Sequence, residues 1–386
     1  QVGREKPIIA IKSGTTNAGS RAVSSHTGTL AGSEAVYEAA FRQSGVLRAR
    51  SIQDLFDYSI AFARQPLLAS DRIAIITNAG GPGIMAADAS ERAGLQLASL
   101  ERASLNALRT ALPAAASVLN PVDLLGDALA ERYELAISTA LEDPNVGGVI
   151  VIVTPQAMTE VEDTAKIIGE QSKRMEKPVF GCFMGSETVT SGVQILNAYQ
   201  VPNYPVPERA VAAMAAMMRY RRWREQPPLE LEKFDVDRLR VRELIDRVRA
   251  EGRLSVGEAE ARDVLDAYGI STPTTFLARD AAEAVHFAQE IGFPVAVKIA
   301  SPDILHKTDV GGVRLNLTSP EAVREAFDLM IYRASRYMAG ADIWGCLVQE
   351  MVVGGKEVVA CRTRDPHFGP VMMFGLGGIY AEALQD

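Results

Sequence analysis

The sequence predicts an α/β protein made of two doubly wound units followed by a smaller α+β unit. Three observations lead there. Short continuous apolar runs, such as Arg72–Thr77 (RIAIIT) and Gly148–Val153, have the character of strands buried on both faces of a parallel sheet. Glycine-rich turns and stretches of helical apolar spacing alternate with them. After residue 223 the chain turns polar around Gln226-Pro227-Pro228, and the strands beyond follow one another more closely.

A chain of 386 residues is too long for one ordinary domain and suits two or three. At 47% hydrophobic and 23% charged it has ample material for buried cores. The net charge of −8 argues against nucleic acid as a partner, while leaving room for a local basic pocket. The three cysteines, Cys182, Cys346 and Cys361, lack paired spacing, which fits a reducing cytoplasm and supports neither disulfides nor a zinc site. No apolar run reaches the roughly 20 residues a membrane helix needs, and no signal-peptide pattern opens the chain. A cytoplasmic protein is expected.

The first unit covers residues 1–68. Pro7–Ile11 reads as a strand, Ser13–Ser33 as a Gly/Ser/Thr-rich loop, and the next segment as a helix through Val36, Ala39, Ala40 and Phe41. Val46–Leu47 is a short strand before a helix with Ile52, Leu55, Phe56 and Ile60 on one face. The second unit covers 69–223. The strand Arg72–Thr77 meets Asn78-Ala79-Gly80-Gly81-Pro82-Gly83 and a small-residue helix over Ile84–Ala93. Strands at Gly148–Val153 and Pro178–Phe183, a helix over Val161–Met175 and an Ala/Met-rich packing helix over Arg209–Tyr220 complete it. Residues 224–250 are a linker and connecting helix. The third unit, 251–386, has a helix over Leu254–Tyr268 and strands at Pro294–Ile299, Trp344–Met351, Lys356–Arg362 and Gly369–Phe374. Both ends read as cut. A buried strand opens the chain without earlier partners, and Ala383–Asp386 stops just after a helix begins.

Four histidines are candidates for chemistry. His286 sits in a helical stretch and His367 in a turn, where packing roles are expected. His26 lies in Ser24–Ser33, whose glycines and hydroxyl residues allow a loop to approach a phosphate closely. A neutral imidazole is a competent nucleophile near pH 7, and no metal-binding partner is close in sequence. A plain loop histidine is the alternative. Asn78–Gly83 follows a strand and opens a helix, so its N–H groups form a natural anion site; a tight strand–helix connection is the alternative. Lys298 lies inside an apolar strand, where it must snorkel or meet an anion. The glycine-paired loop Ser301–Val313 follows it, and Glu350 and Glu357 lie on later strands. Together these could clamp a nucleotide; an edge-strand surface lysine is the alternative.

With these pieces in order, the chain resembles the ADP-forming acyl-CoA synthetases, relatives of succinyl-CoA synthetase, over essentially its whole length. The motifs that carry the likeness are Ser25–Gly28 with Leu30–Gly32, Thr77–Gly83, Asn120-Pro121-Val122-Asp123, Ser301–Val313 and Asp365–Glu382. The resemblance implies two flavodoxin-like, succinyl-CoA-synthetase-like units and a truncated ATP-grasp domain. It implies that His26 is phosphorylated during turnover and that Asn78, Ala79, Gly80, Gly81 and Pro82 hold the phosphohistidine. Lys298 would then meet nucleotide phosphates, Glu350 and Val352 border the adenine, and Glu357 the ribose. Glu382 and Asp386 would contact Mg²⁺, and His306 would match a second relay histidine. The implied reaction interconverts acyl-CoA, ADP and phosphate with a carboxylic acid, CoA and ATP, on a homo-oligomer, a dimer. The family's CoA-binding domain is expected outside this chain. Some relatives are instead sensing regions fused to a lysine acetyltransferase domain; retention of His26 and His306 argues for a ligase. A plain ATP-grasp ligase without phosphohistidine is a third reading, which the His26 loop argues against.

Overall fold

A computed structural model describes residues 2–16, 18–19, 33–174, 176–227, 232–304, 307–352 and 354–377. Its contacts divide into two units: residues 1–228 with 360–374, and residues 229–359 with 375–386.

The first unit opens with a short helix α1 (Val2–Glu5) and a pair of parallel strands, β1 (Ile8–Ile11) and β2 (Val46–Ala49), with Ile8 opposite Val46. Helix α2 (Glu34–Ser44) lies between them in sequence, and α3 (Ile52–Arg64) follows. A capping box starts α3: the Asp54 N–H donates to the Ser51 hydroxyl while the Asp54 carboxylate accepts the Ser51 N–H.

Five further strands form one parallel sheet: β3 (Arg72–Thr77), β4 (Gln96–Leu97), β5 (Val122–Asp123), β6 (Gly148–Val153) and β7 (Val179–Phe183). Their order is β4-β3-β6-β7, with β5 paired to β3. The helices are α4 (Gly80–Arg92), α5 (Arg102–Ala111), α6 (Ala130–Glu142), α7 (Val161–Arg174), α8 (Thr190–Ala198) and α9 (Pro207–Glu225). The continuous apolar runs in β3 and β6 follow from two covered faces. Ile73, Ile75, Ile150 and Ile152 turn to a core shared with α4 and α9. Their neighbours Ala74, Ile76, Val149 and Val151 turn to a second core with α6 and α7. Each fully buried isoleucine contributes about 1.5–3 kcal/mol.

Along one side of β3, β4 pairs with Arg72 and Ile73, and β5 with Ile76 and Thr77. Asn120 fills the gap between them. Its Oδ1 accepts the Ile75 N–H at 3.0 Å, and its Nδ2 donates to the carbonyls of Ile73 (2.7 Å) and Ala98 (3.1 Å). An amide side chain thus supplies the strand bonds that the backbone leaves unmade.

Helix α9 reaches further than the expected Arg209–Tyr220, running from Pro207 to Glu225. Proline at its first position needs no N–H partner there. Small residues and methionines, including Ala213, Met214 and Met217, are fully buried on it. Near its start Arg209 forks onto the buried carboxylate of Asp57 in α3, with both bonds at 2.7 Å. The Tyr204 hydroxyl donates to the Asp57 carbonyl at 3.1 Å. These contacts tie α3, and with it β1 and β2, to the larger sheet's last helix.

In the second unit, α10 (Arg238–Ala250) and α11 (Glu258–Ala267) precede an antiparallel sheet. Its strands are β8 (Thr275–Ala278), β9 (Val295–Ala300), β10 (Val313–Leu317) and β11 (Gly345–Glu350), in the order β10-β9-β11-β8. Helices α12 (Ala281–Ile291) and α13 (Pro320–Tyr337) cover one face through Val295, Val297, Ile299, Cys346 and Val348. The ribbon β12 (Val358–Asp365) and β13 (Gly369–Leu376), whose residues 360–374 group with the first unit, is the expected hairpin, with His367 in its turn. There Asp365 accepts the N–H groups of His367 and Phe368.

The structure corrects several expected boundaries. Helix α11 starts at Glu258 rather than Leu254, because the Glu260 carboxylate accepts the Gly257 N–H and fixes the helix start there. Helix α4 starts at Gly80 rather than Ile84, since Pro82 is tolerated in a first turn whose N–H groups are unpaired anyway. Glu357 lies just ahead of β12 rather than in it. Strand β9 has neighbours on both sides, so Lys298 is not on an edge strand.

The Asp57–Arg209 pair generates an asymmetric expectation. Asp57 is 5% exposed at its side chain and Arg209 31%. Arg209→Ala strands a buried carboxylate and is expected to cost about 3–5 kcal/mol in urea unfolding. Asp57→Ala leaves a cation that reaches water, and should cost about 1–2 kcal/mol less. Equal losses would show that the two groups are equally buried in solution.

Candidate functional site

Two centres emerge, one in each unit. The first is where β3 gives way to α4. Asn78, 2% exposed, turns its side chain onto Thr154: its Oδ1 accepts from the Thr154 N–H and hydroxyl, each at 2.9 Å, and its Nδ2 donates to the Thr154 carbonyl at 2.8 Å. It locks the end of β3 to the residue after β6. The Thr77 hydroxyl accepts the Ala79 N–H at 3.0 Å and donates to the Ala79 carbonyl. Pro82 has no N–H.

The five residues expected to hold a phosphohistidine are therefore unequal. Asn78, Ala79 and Pro82 shape the turn, whereas the N–H groups of Gly80 and Gly81 have no partner among the described residues. No side chain caps this helix, so its positive end stays open. Space around Gly81 is empty: a β-carbon there would meet nothing within 4 Å. At Gly80 the nearest atom to such a carbon would be Asp123 Oδ2, at 3.4 Å. The other oxygen of Asp123 accepts the Leu125 N–H at 3.0 Å and holds the turn that follows β5. At Gly83 the same carbon would lie 3.0 Å from Thr77 Cγ2 and 3.5 Å from Pro121 Cβ, so glycine permits the helix to dock closely on its own strand.

The second centre lies on the face of the antiparallel sheet opposite α12 and α13. Lys298 of β9 stands opposite Leu347 of β11, which stands opposite Leu277 of β8, so the three share a face. Lys298 Nζ lies 3.8 Å from Glu258 Oε1, at the first residue of α11. Lys307, from the loop after β9, bonds the other oxygen of Glu258. One carboxylate thus faces two ammonium groups. Arg253 steadies it: the guanidinium forks onto Glu260 at 2.6 and 2.9 Å, one turn into α11. That pairing, ahead of the Gly257 hydrogen bond, holds the Glu260 carboxyl at about 2. A cavity of about 300 Å³ opens beside these groups, lined by Glu258, Leu277, Ser301, Lys307, Trp344 and Leu347.

The other expected nucleotide residues sit apart from this cluster. Glu350 ends β11 three residues past the partner of Lys298, so the pleat turns it to the opposite face. Its Oε2 accepts the Thr274 N–H at 3.1 Å. Val352 is exposed beyond that strand end. The Glu357 carbonyl accepts the Gly377 N–H at 2.9 Å. The acid that shares a face with Lys298 is Glu258, which the sequence reading passed over. Its signal was present in Gly257-Glu258-Ala259-Glu260, the acidic first turn of a helix. His26, His306, Glu382 and Asp386 lie outside the described residues. Among the described residues, no group of three or more His, Cys, Asp or Glu side chains could hold a metal ion, and no helix is long and apolar enough to cross a membrane.

Three protein families match the chain in sequence. Residues 1–62 match the succinyl-CoA ligase like flavodoxin domain, 73–227 the ligase-CoA domain, and 247–386 the ATP-grasp domain. The 4-hydroxybutyrate–CoA ligase [ADP-forming] of Nitrosopumilus maritimus is 39% identical over 99% of this chain and 55% of its own length. The acetate–CoA ligase [ADP-forming] I of Archaeoglobus fulgidus is 41% identical over 100% of this chain and 55% of its own. The chain therefore spans about half the length of these curated relatives. Among solved structures, acetyl-coenzyme A synthetase 1 of Ca. Korarchaeum cryptofilum, in complex with phosphate and ADP, superposes with a TM-score of 0.55 at 37% identity, covering 58% of this chain and 48% of that one.

The glycines at the start of α4 separate docking from anion binding. Gly83→Ala must displace a Thr77 side chain held by its own hydrogen bonds, and is expected to cost about 1–2 kcal/mol of stability. Gly81→Ala, facing open space, should leave thermal unfolding within about 0.5 kcal/mol of the native protein. Equal losses at both positions in calorimetric melts would contradict this geometry.

Proposed function

Because the chain belongs to the family of ADP-forming acyl-CoA ligases, we propose that it is the part of such a ligase that passes a phosphoryl group from an acyl phosphate to a histidine and on to a nucleoside diphosphate. The observation that supports this reading is that one chain holds two centres whose groups suit phosphate. One has open helix-start amides at Gly80 and Gly81; the other has Lys298 and Lys307 gathered on Glu258, with Lys307 and Glu258 lining a cavity.

In the proposed cycle, phosphate attacks the acyl-CoA carbonyl and the CoA thiolate leaves, giving an acyl phosphate. An imidazole nitrogen of His26 then attacks phosphorus, and the P–O bond to the acyl group breaks to release the carboxylic acid. Gly80 and Gly81 hold the phosphoryl oxygens while Asn78 and Thr77 keep the turn rigid. A terminal oxygen of ADP next takes the phosphoryl group, breaking the P–N bond to give ATP and free histidine. The reverse direction activates an acid. Such transfers ask the protein chiefly for position and charge stabilisation, which fixed amides and ammonium groups supply.

At the second centre, nucleotide phosphates replace the Glu258 carboxylate as the partner of Lys298 and Lys307. Glu350 and Val352 border the adenine, Glu357 the ribose, and His306 serves as a second phosphoryl relay. Mg²⁺ falls to Glu382 and Asp386, and the described residues contain no cluster that fits a metal ion. CoA enters through a domain beyond this chain, and a cytoplasmic homodimer is the expected setting.

Incubating the full-length protein with ATP and Mg²⁺ tests the reading. An acid-labile phosphoenzyme is expected, diminished in His26→Ala and lost when His306→Ala is added; label that persists in the double variant would move the phosphorylation sites elsewhere. Lys298→Ala should weaken nucleotide binding roughly 10- to 100-fold in calorimetry, the loss of one charge-assisted bond. Unchanged affinity would remove Lys298 from the phosphate site.

A further inference from the structure

Another cavity lies apart from the first unit's centre. It measures about 780 Å³, within the first unit, between α2, β2 and the last turns of α9. Ala93, the C-cap residue just after α4, is part of its wall. The open amides sit at the other end of that helix, which at 1.5 Å per residue places the cavity roughly 20 Å from them.

The charge of its lining is one-sided. Five arginines, Arg42, Arg48, Arg50, Arg219 and Arg222, meet one acid, Glu38. Arg48 is answered by Glu34 and by Glu38 at 2.8 Å, and Arg222 by Asp71 at 2.6 Å. Arg42, Arg50 and Arg219 have no carboxylate partner among the described residues. The end of α4 turns partial negative charge towards the cavity, so any attraction for anions comes from the guanidinium groups. Two buried atoms in the wall, the Tyr220 hydroxyl and Arg48 Nε, have no hydrogen-bond partner among the described residues. Leaving such groups unmatched is costly. The shape is fixed by Trp223, whose ring lies against Gly45, a residue at φ 70° where only a hydrogen fits beneath the indole.

We propose that this cavity is a second anion site, taking a small molecule that bears two or more phosphate groups, separate from the phosphoryl-transfer centres. The volume is that of a small-molecule site. Guanidinium forks match phosphate oxygens in pairs, and three arginines without a carboxylate partner among the described residues balance two or three negative charges. Such a ligand bridges α2 and β2 to α9, and so braces the two halves of the first unit.

The sequence provides its own probe. Of its two tryptophans, Trp223 lines the cavity and Trp344 lies in the other unit. In Trp344→Phe, all indole fluorescence reports on the cavity. Titrating pyrophosphate at low salt without Mg²⁺ should give a saturable change. Adding Arg42→Gln and Arg219→Gln, both at exposed positions, should raise its midpoint at least about tenfold, one charge-assisted contact's worth. Adding Lys298→Ala should not move it, which separates this site from the proposed nucleotide centre. Citrate, a polyanion without phosphate, should bind more weakly. No saturable change, a midpoint indifferent to both arginines, or citrate binding as tightly as pyrophosphate would overturn the proposal. If the combined variant fails to fold, Arg42→Gln alone must raise the midpoint.

Discussion

The first unit depends on one buried ion pair. Asp57 lies in α3 and Arg209 in α9, and their forked contact is the polar centre of an otherwise apolar joint. Taking a carboxylate out of water is expensive unless its partner is placed to match, so the pair permits one alignment of the two helices and penalises others. Helix α9 also packs on α4 through the same core. The orientation of the β1–β2 layer is thereby coupled to the helix whose open end faces anions. A sliding apolar interface alone would leave that coupling loose.

The second unit solves a different problem. A lysine in the middle of an apolar sheet face needs a counter-charge at all times, including when no phosphate is bound. Glu258 supplies it, and the fork of Arg253 on Glu260 holds the helix start that carries Glu258. The ammonium groups are thus kept solvent-poor and oriented ahead of any ligand. Swapping one anion for another costs less than ordering free lysines.

Much of the fold was legible in the sequence because burial on two faces leaves a plain mark. RIAIIT admits hardly any reading but an interior parallel strand, and it was placed correctly to the residue. Helix starts are hidden where glycine and proline read as loop, although Gly80–Gly83 are the first turn of α4. Local propensity is weak evidence there, since a first turn needs few of its own hydrogen bonds. At the centres, Lys298 announced itself by being charged within an apolar strand. Glu258 did not, because an acid in a helix's first turn is ordinary, and its meeting with Lys298 is a product of tertiary folding. Asn120 was noticed only as part of a motif; nothing local discloses that its amide completes a sheet.

That asparagine also bears on how the protein ages. Asparagine side chains convert to aspartate when the next residue's backbone nitrogen closes a ring on the amide carbon. Here the next residue is Pro121, which has no N–H to give. Conversion would replace the donor to Ile73 and Ala98 by a carboxylate pressed against two carbonyl oxygens. The residue that completes the edge of β3 is therefore followed by the one amino acid that blocks its commonest route of chemical decay, so that seam of the sheet is shielded from slow wear as well as from unfolding.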